Sequence, residues 1–272
     1  KRMKNTLFTG KVYYRFDELS STNDYARDLL AKSRPPEGTV VRADSQSAGR
    51  GQFGSKWMAE PGVNLTLSVI LYPNWLKITD QFRLSEAVAL ALLDTVNRQP
   101  STVNRQPSTV NRPPSTVHRQ PSSIKWPNDI YLGDRKTAGI LIQNTLSGNH
   151  LETSIVGIGL NVNQTAFPPE IPNATSLCLA TGRTFDLDAV ADMLFECLER
   201  RYLQLRAGQT EVLRAEYREH LLGLGVLRNF ARPDGSVFSG IIQGVQGDGR
   251  LEILGSHGLE LFDIKAIQML QA

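Results

Sequence analysis

The sequence predicts an α+β fold, with strands and helices interleaved as far as residue 222 and a small all-β unit over 223–272. Three observations carry this. Apolar spacing switches repeatedly between a period of two and a helical period up to Leu222. After Gly223 only short alternating runs remain, separated by Pro233-Asp234-Gly235, Gly247-Asp248-Gly249 and Ser256-His257-Gly258. Inside the first unit, residues 96–123 form a tandem heptapeptide, reading VNRQPST twice, then VNRPPST and VHRQPSS.

The elements follow in order. Tyr13–Leu19 reads as a strand, and Ser20-Ser21-Thr22-Asn23 supplies cap candidates for a helix through about Ala31. Thr39–Asp44 reads as a strand leading into a glycine-rich loop. Val63–Leu71 is β-rich and alternates, with Asn64, Thr66 and Ser68 on one side. Ser85–Val96 is an apolar helix. Ser123–Trp126, Lys136–Asn144 and Glu152–Asn161 are further strands. Asp188–Leu205 and Thr210–Leu222 are amphipathic helices. Val226–Ala231, Val237–Val245, Gly249–Leu254 and Gly258–Ile264 build a small antiparallel β-barrel of SH3-like size, suited to docking or support.

The heptapeptide cannot form a coiled coil. Every copy contains proline, which removes a backbone donor and clashes with the preceding turn. One apolar residue per copy is too few to bury a core, so an extended mobile surface loop is expected there.

The same segment explains the charge. The chain carries a net +3, but 96–123 hold Arg98, Arg105, Arg112 and Arg119 and no acid. Without those four the balance is 26 basic to 27 acidic residues, which leaves no basic face for a nucleic acid. No apolar run reaches the ~20 residues of a membrane span, and no signal-peptide core follows Lys1-Arg2-Met3-Lys4; a cytoplasmic location is expected. Cys178 and Cys197 lack CxxC spacing, and Cys197 reads as a buried thiol. The four histidines form no metal-ligand spacing.

Three segments can carry chemistry. Gly49–Trp57 reads GRGQFGSKW: glycines let backbone N–H groups approach an anion, and Arg50 and Lys56 add charge. It is neither a Walker A loop nor a GxGxxG turn, and a plain flexible hairpin is the bland alternative. Lys125–Asp129 reads KWPND. Pro127 biases Trp126 toward an extended conformation, and Asp129 could hold Mg²⁺ with nucleotide phosphates, although Asn128 and Asp129 are equally good turn formers. Lys136, just before an apolar strand, can reach into a cleft or remain an exposed turn lysine. In Gly157–Asn163 the small residues suggest close approach by a ligand or another backbone. Asn161 has the donor and acceptor an adenine edge requires, or marks a strand bulge.

Taken together these segments resemble the biotin protein ligases, or biotin–[acetyl-CoA-carboxylase] ligases. The matching pieces occur in that family's order: Ser21-Thr22-Asn23, SQSAGRGQFGSKW over Ser45–Trp57, KWPND, DRKTAGIL over Asp134–Leu141, and Gly157–Asn161. The resemblance implies a mixed β-sheet flanked by helices, related to class II synthetases, as a catalytic domain over 1–222, and an SH3-like domain over 223–272. It further implies the monofunctional type, without a DNA-binding domain or a membrane partner.

The resemblance also assigns roles. Ser21, Thr22 and Gln46 would hydrogen-bond the ureido ring of biotin, with Asn23 in the same motif. Arg50, Gly51 and Gln52 would lie on the loop that closes over biotin and the adenylate. Lys136 would hold the biotin carboxylate and the α-phosphate, sharing the catalytic work with Arg50. Trp57 would pack against the adenine or the ligand chain, Asn161 would read the adenine, and Lys125 and Asp129 would serve the phosphates and Mg²⁺. The partners implied are biotin, ATP and a biotin carboxyl carrier protein of acetyl-CoA carboxylase or a related carboxylase. Many members carry further arginines where this chain has Gln52 and Phe53, so charge from those two side chains is not expected. A lipoate or octanoyl transferase is the nearest alternative enzyme. A non-catalytic biotin-binding module would lack Lys136 or Asp129, and both are present.

Overall fold

The computed structural model describes residues 5–98 and 120–270. The expected loop conformation of the heptapeptide therefore falls largely outside the described residues. Its two ends do not. Residues 96–98 complete a helix in which Val96 is buried, and 122–123 begin a strand, so the edges of the repeat belong to the folded body.

The first unit is one seven-stranded sheet, in the order β1-β2-β3-β7-β6-β5-β4. The strands are β1 (Tyr13–Leu19), β2 (Val40–Gln46), β3 (Leu65–Leu71), β4 (Ser122–Lys125), β5 (Asp129–Leu132), β6 (Arg135–Ser147) and β7 (His150–Leu160). Only β1 and β2 run parallel; all other neighbours are antiparallel, so the sheet is mixed as expected. The helices are α1 (Thr22–Lys32), α2 (Phe82–Arg98), α3 (Leu177–Thr181), α4 (Leu187–Arg206) and α5 (Thr210–Glu219). Strand β5 and helix α3 leave no pattern in the sequence: each has five residues or fewer, too short for a period to show.

Alternation along the strands decides which face holds what. In β3, Leu65, Leu67, Val69 and Leu71 join the main core, as do Val156, Ile158 and Leu160 of β7. Helices α2, α4 and α5 cover that face through Leu84, Val88, Leu92, Leu194, Leu198, Leu213 and Tyr217. The opposite face is covered over part of its width by α1. There Ala26 packs on Val41, Ile70 and Ile155. Beyond Ile70 and Ile155 that face turns polar or small: Ser68 and Thr66 on β3, Gly157 and Gly159 on β7. Alternation with a period of two thus sends aliphatics into one layer and leaves a recess in the other.

The C-terminal unit is a five-stranded antiparallel sheet in the order β11-β10-β9-β8-β12. Its strands are β8 (Leu227–Ala231), β9 (Val237–Val245), β10 (Leu251–Gly255), β11 (Gly258–Phe262) and β12 (Gln268–Met269). Among the described residues no ladder joins β11 to β12, so the order is that of an open sheet. Phe230 and Phe262 are buried and the half-buried Phe238 stacks between them. The Trp126 indole N–H donates to the Gly249 carbonyl at 2.9 Å, tying the first unit to the β9–β10 turn.

Candidate active site

The recess is a cavity of about 230 Å³. Its floor is set by register. Thr66 on β3 pairs with Gly159 on β7, Gly159 with Gly139 on β6, and Gly139 with Asp129 on β5. A parallel row joins Ser68, Gly157 and Leu141. From β3 to β5 the floor is three strand spacings wide, about 14 Å.

The glycines are there because other groups lie on them. A side chain at Gly159 would overlap the Trp57 indole, and one at Gly157 would overlap the Asn23 amide. The sequence signal of two small residues inside a β-rich run thus marks close approach, and Trp57 and Asn23 are what approach.

The wall is the hairpin 49–57. Its arms pair through Trp57 N–H to Gly49 O (3.0 Å) and Gly51 N–H to Ser55 O (2.7 Å), with a single 3₁₀ turn over Gln52–Gly54 at the tip. Arg50, Gly51, Gln52, Ser55, Lys56 and Trp57 face the cavity. The Arg50 guanidinium meets Asp24 of α1 at 3.0 Å and stays about half exposed.

One end of the cavity is neutral and rich in fixed hydrogen bonds. Ser21 caps α1, its oxygen accepting from Asp24 N–H at 3.4 Å. Thr22 N–H donates to Gln46 Oε1 at 2.7 Å. Ser68 Oγ lies 2.8 Å from Thr22 Oγ1 and 2.6 Å from Asn23 Oδ1. Asn23 Nδ2 donates to Gln143 Oε1 (3.0 Å) and toward Leu141 O (3.5 Å). Ser21, Thr22, Asn23 and Ser68 are all buried.

The other end is charged. Lys136 Nζ pairs with Asp129 Oδ1 at 2.7 Å and stands 5.9 Å from the Trp57 ring centre. Asn128 Nδ2 holds Ile140 O at 2.6 Å, fixing the turn that presents Asp129.

The residues singled out from the sequence thus largely converge: Ser21, Thr22, Asn23, Gln46, Arg50, Gly51, Gln52, Trp57, Asp129 and Lys136 all line the one cavity. Two stand apart. Lys125 opens into an adjoining cavity of about 220 Å³, shared with Gln52 and walled by Trp126, Pro127 and the C-terminal sheet. Its ammonium lies 3.4 Å from Tyr131 Oη. Burial pushes the Lys125 pKa down; Asp129 opposes this and Lys136 adds to it. Burial, reinforced by Asp129, pushes the Tyr131 phenol up to about 12. Asn161 sits just past β7, its Nδ2 donating to Thr175 O at 3.0 Å while its buried Oδ1 has no partner among the described residues. The sequence does not mark Thr66, Ser68 or Gln143 as part of the site, and it offers Asn128 as a turn former, the part it plays by holding Ile140 O. Alternation along β3 puts Thr66 and Ser68 on one side, but nothing local says what lies opposite.

Residues 15–161 match the biotin/lipoate A/B protein ligase family over more than half of the chain. The chain belongs to that family. Among curated relatives of this biotin/lipoate ligase, the bifunctional ligase/repressor BirA of Bacillus subtilis is 33% identical over 248 residues, covering 90% of this chain and 70% of the relative. The biotin–[acetyl-CoA-carboxylase] ligase of Mycobacterium tuberculosis is 30% identical over 246 residues, covering 89% and 84%. The ligase superposes on the biotin protein ligase from Aquifex aeolicus in complex with biotin and ATP with a TM-score of 0.74. That likeness, at 24% identity over 96% of this chain and 100% of the other, establishes the shared fold.

Proposed function

We propose that this chain is a biotin ligase that activates biotin with ATP as biotinyl-5′-AMP and passes the biotinyl group to a lysine of a biotin carboxyl carrier protein. The two curated relatives support biotin ligation over other activities in the family. The observation that carries the reading is the polarity of the cavity: buried, oriented hydrogen-bonding groups at one end and a lysine–aspartate pair at the other. Biotin has this layout, a ureido ring joined by an alkyl chain to a carboxylate. The dithiolane ring of lipoate offers no N–H or carbonyl to the first end, so burying it there would leave polar groups unpaired.

In the first step a biotin carboxylate oxygen bonds to the α-phosphorus of ATP, and the bond to the leaving pyrophosphate breaks. Two anions must approach, so positive charge has to be fixed where they meet. Lys136 is placed to do this once it turns from Asp129 toward the ligand. Arg50 adds charge from the hairpin, and Gly51 and Gln52 cover the adenylate and shield it from water. Trp57 packs along the ligand, while Lys125 and Asn161 serve the phosphate tail and the adenine. In the second step the carrier lysine nitrogen bonds to the acyl carbon, the acyl–phosphate bond breaks, AMP leaves and the amine loses a proton. No enzyme nucleophile is required.

Among the described residues no three His, Cys, Asp or Glu side chains are grouped to hold a metal. Mg²⁺ is commonly held by one or two carboxylates with substrate phosphates, and Asp129 fits that limited part. Bound there, Mg²⁺ would neutralise charge on the phosphates. Residues 1–222 form the catalytic domain in this reading and 223–272 the supporting domain, acting in the cytoplasm. No helix among the described residues is long and apolar enough to cross a membrane.

The test is incubation of the protein with labelled biotin, ATP and a biotin carboxyl carrier domain, with lipoate as control. Label on the carrier that depends on ATP supports the reading; labelling from lipoate alone, or none, overturns it.

A further inference from the structure

The neutral end of the cavity has a fixed direction of hydrogen donation. Ser68 Oγ sits between Thr22 Oγ1 and Asn23 Oδ1, at 2.8 and 2.6 Å, with Ser68 fully buried. A hydroxyl carries one proton, and an amide oxygen can only accept. The Asn23 amide is oriented by its other end, where Nδ2 faces Gln143 Oε1 and the Leu141 carbonyl. Its Oδ1 therefore faces Ser68, and the Ser68 proton must go to it. The Ser68 oxygen is then left to accept, and the only proton available across the 2.8 Å contact is that of Thr22. Thr22 spends its proton inward and presents lone pairs.

Gln46 is fixed in the complementary sense. Its Oε1 accepts the Thr22 backbone N–H at 2.7 Å, so its Nε2 is the end left to donate. The Ser21 oxygen accepts at the start of α1, which leaves its own O–H to donate. A buried acceptor thus stands beside two donors, the complement of a ligand edge carrying an N–H next to a carbonyl.

We propose that Ser68 is a positioning residue for ligand selection: through Asn23 it locks the Thr22 hydroxyl as an acceptor, so that this end of the cavity selects a cyclic urea N–H. The proposal rests on the biotin reading and adds to it a residue that need not touch the ligand. A site with its polarity fixed in advance penalises a wrong partner strongly, because the mismatched groups stay buried and unpaired.

The test compares biotin with its cyclic carbamate analogues, in which one ring N–H is replaced by oxygen, made at either ring position. The swap preserves shape and turns a donor into an acceptor. Binding is measured by calorimetry on the full chain, for the wild type, Ser68→Ala and Ser68→Thr. The wild type should prefer biotin over at least one analogue by about 10²-fold or more. In Ser68→Ala the Thr22 proton is freed to turn toward the ligand, so that preference should fall by about tenfold. Ser68→Thr keeps the hydroxyl and should keep the preference. A general loosening of the fold would weaken both ligands alike and leave the ratio unchanged, and an unchanged ratio in Ser68→Ala overturns the proposal. A wild-type preference below about threefold for both analogues overturns it too, even if Ser68→Ala does not fold. A wild type that takes up no biotin at all removes the biotin reading itself.

Discussion

The ammonium of Lys136 is held 2.7 Å from Asp129 at the charged end of the cavity, with about a third of the side chain exposed. Replacing it with alanine should lower biotinyl-adenylate formation by about 10²-fold or more, the scale of one positioned charge donor; pyrophosphate release with biotin and ATP alone reads this. A wild-type rate would remove Lys136 from the chemistry. A second charged pair behaves differently. Arg83 and Glu86, one helical turn apart on α2, are both buried and meet at 3.1 Å. Burial raises the Glu86 pKa above its ordinary value, with Arg83 only partly offsetting it. The folded state then binds more protons than the unfolded state between the ordinary carboxylate range and that raised value, so this group's contribution falls as pH rises through the window. Glu86→Gln should flatten that part of the stability–pH curve, followed by urea melts from pH 4 to 8. At this scale the sequence was legible where chemistry is rare, as in KWPND and GRGQFG, and silent on Ser68 and Gln143. Serine and glutamine have many ordinary uses, and their partner Asn23 lies 45 and 120 residues away.

Strand β7 and the hairpin 49–57 meet where Trp57 lies on Gly159 and Gly139. Gly159→Ala should push the indole off the floor and move the hairpin with it. A displacement of about 1 Å at a reacting site costs on the order of 10²-fold. The expected outcome is a loss of that size in adenylate formation with melting temperature little changed, since the indole can move outward; full activity would show that Trp57 sits there without consequence. Elements were legible in proportion to their length. Tyr13–Leu19 and Val237–Val245 were read with their observed bounds. Strand β5 was not, because Asn128 and Asp129 are as good in a turn as at the start of a strand, and only Ile130, Tyr131 and Leu132 follow them. The expected two-sidedness of β3 is observed, and Thr66 and Ser68 on its polar side belong to the cavity floor and the buried hydrogen bonds beside it.

Across the molecule, Trp126 connects the KWPND turn to the C-terminal sheet by one hydrogen bond spanning 123 residues, and Tyr217 Oη adds a bond to the Pro127 carbonyl at 3.2 Å. Trp126→Phe keeps the ring contact and loses the donor. It should cost about 1 kcal/mol of stability in chemical denaturation; no measurable loss would mean that the two sheets do not depend on that contact. Neither partner was readable from sequence, since the Gly249 carbonyl is a backbone atom and leaves no residue signature. The heptapeptide gives the opposite lesson: its composition set it apart at once, yet its boundaries needed the structure. Helix α2 runs on through Asn97 and Arg98, and Ser122 Oγ donates to Asn97 Oδ1 at 2.7 Å. Excising 99–119 and joining the ends with a short glycine-serine linker should leave biotinylation of the carrier within about threefold of wild type, because closing a short loop between neighbouring ends costs little. Collapse of activity would make the repeat a working part.

That side-chain bond between Asn97 and Ser122 also bears on how this locus can evolve or be engineered. Because the two shores nearly touch, whole seven-residue copies can be added or subtracted with each doubling of the span costing only about 0.6 kcal/mol. The junction is therefore a natural graft point, where a reporter or affinity handle with adjacent termini could be spliced in and the biotinylation rate would report only on the host.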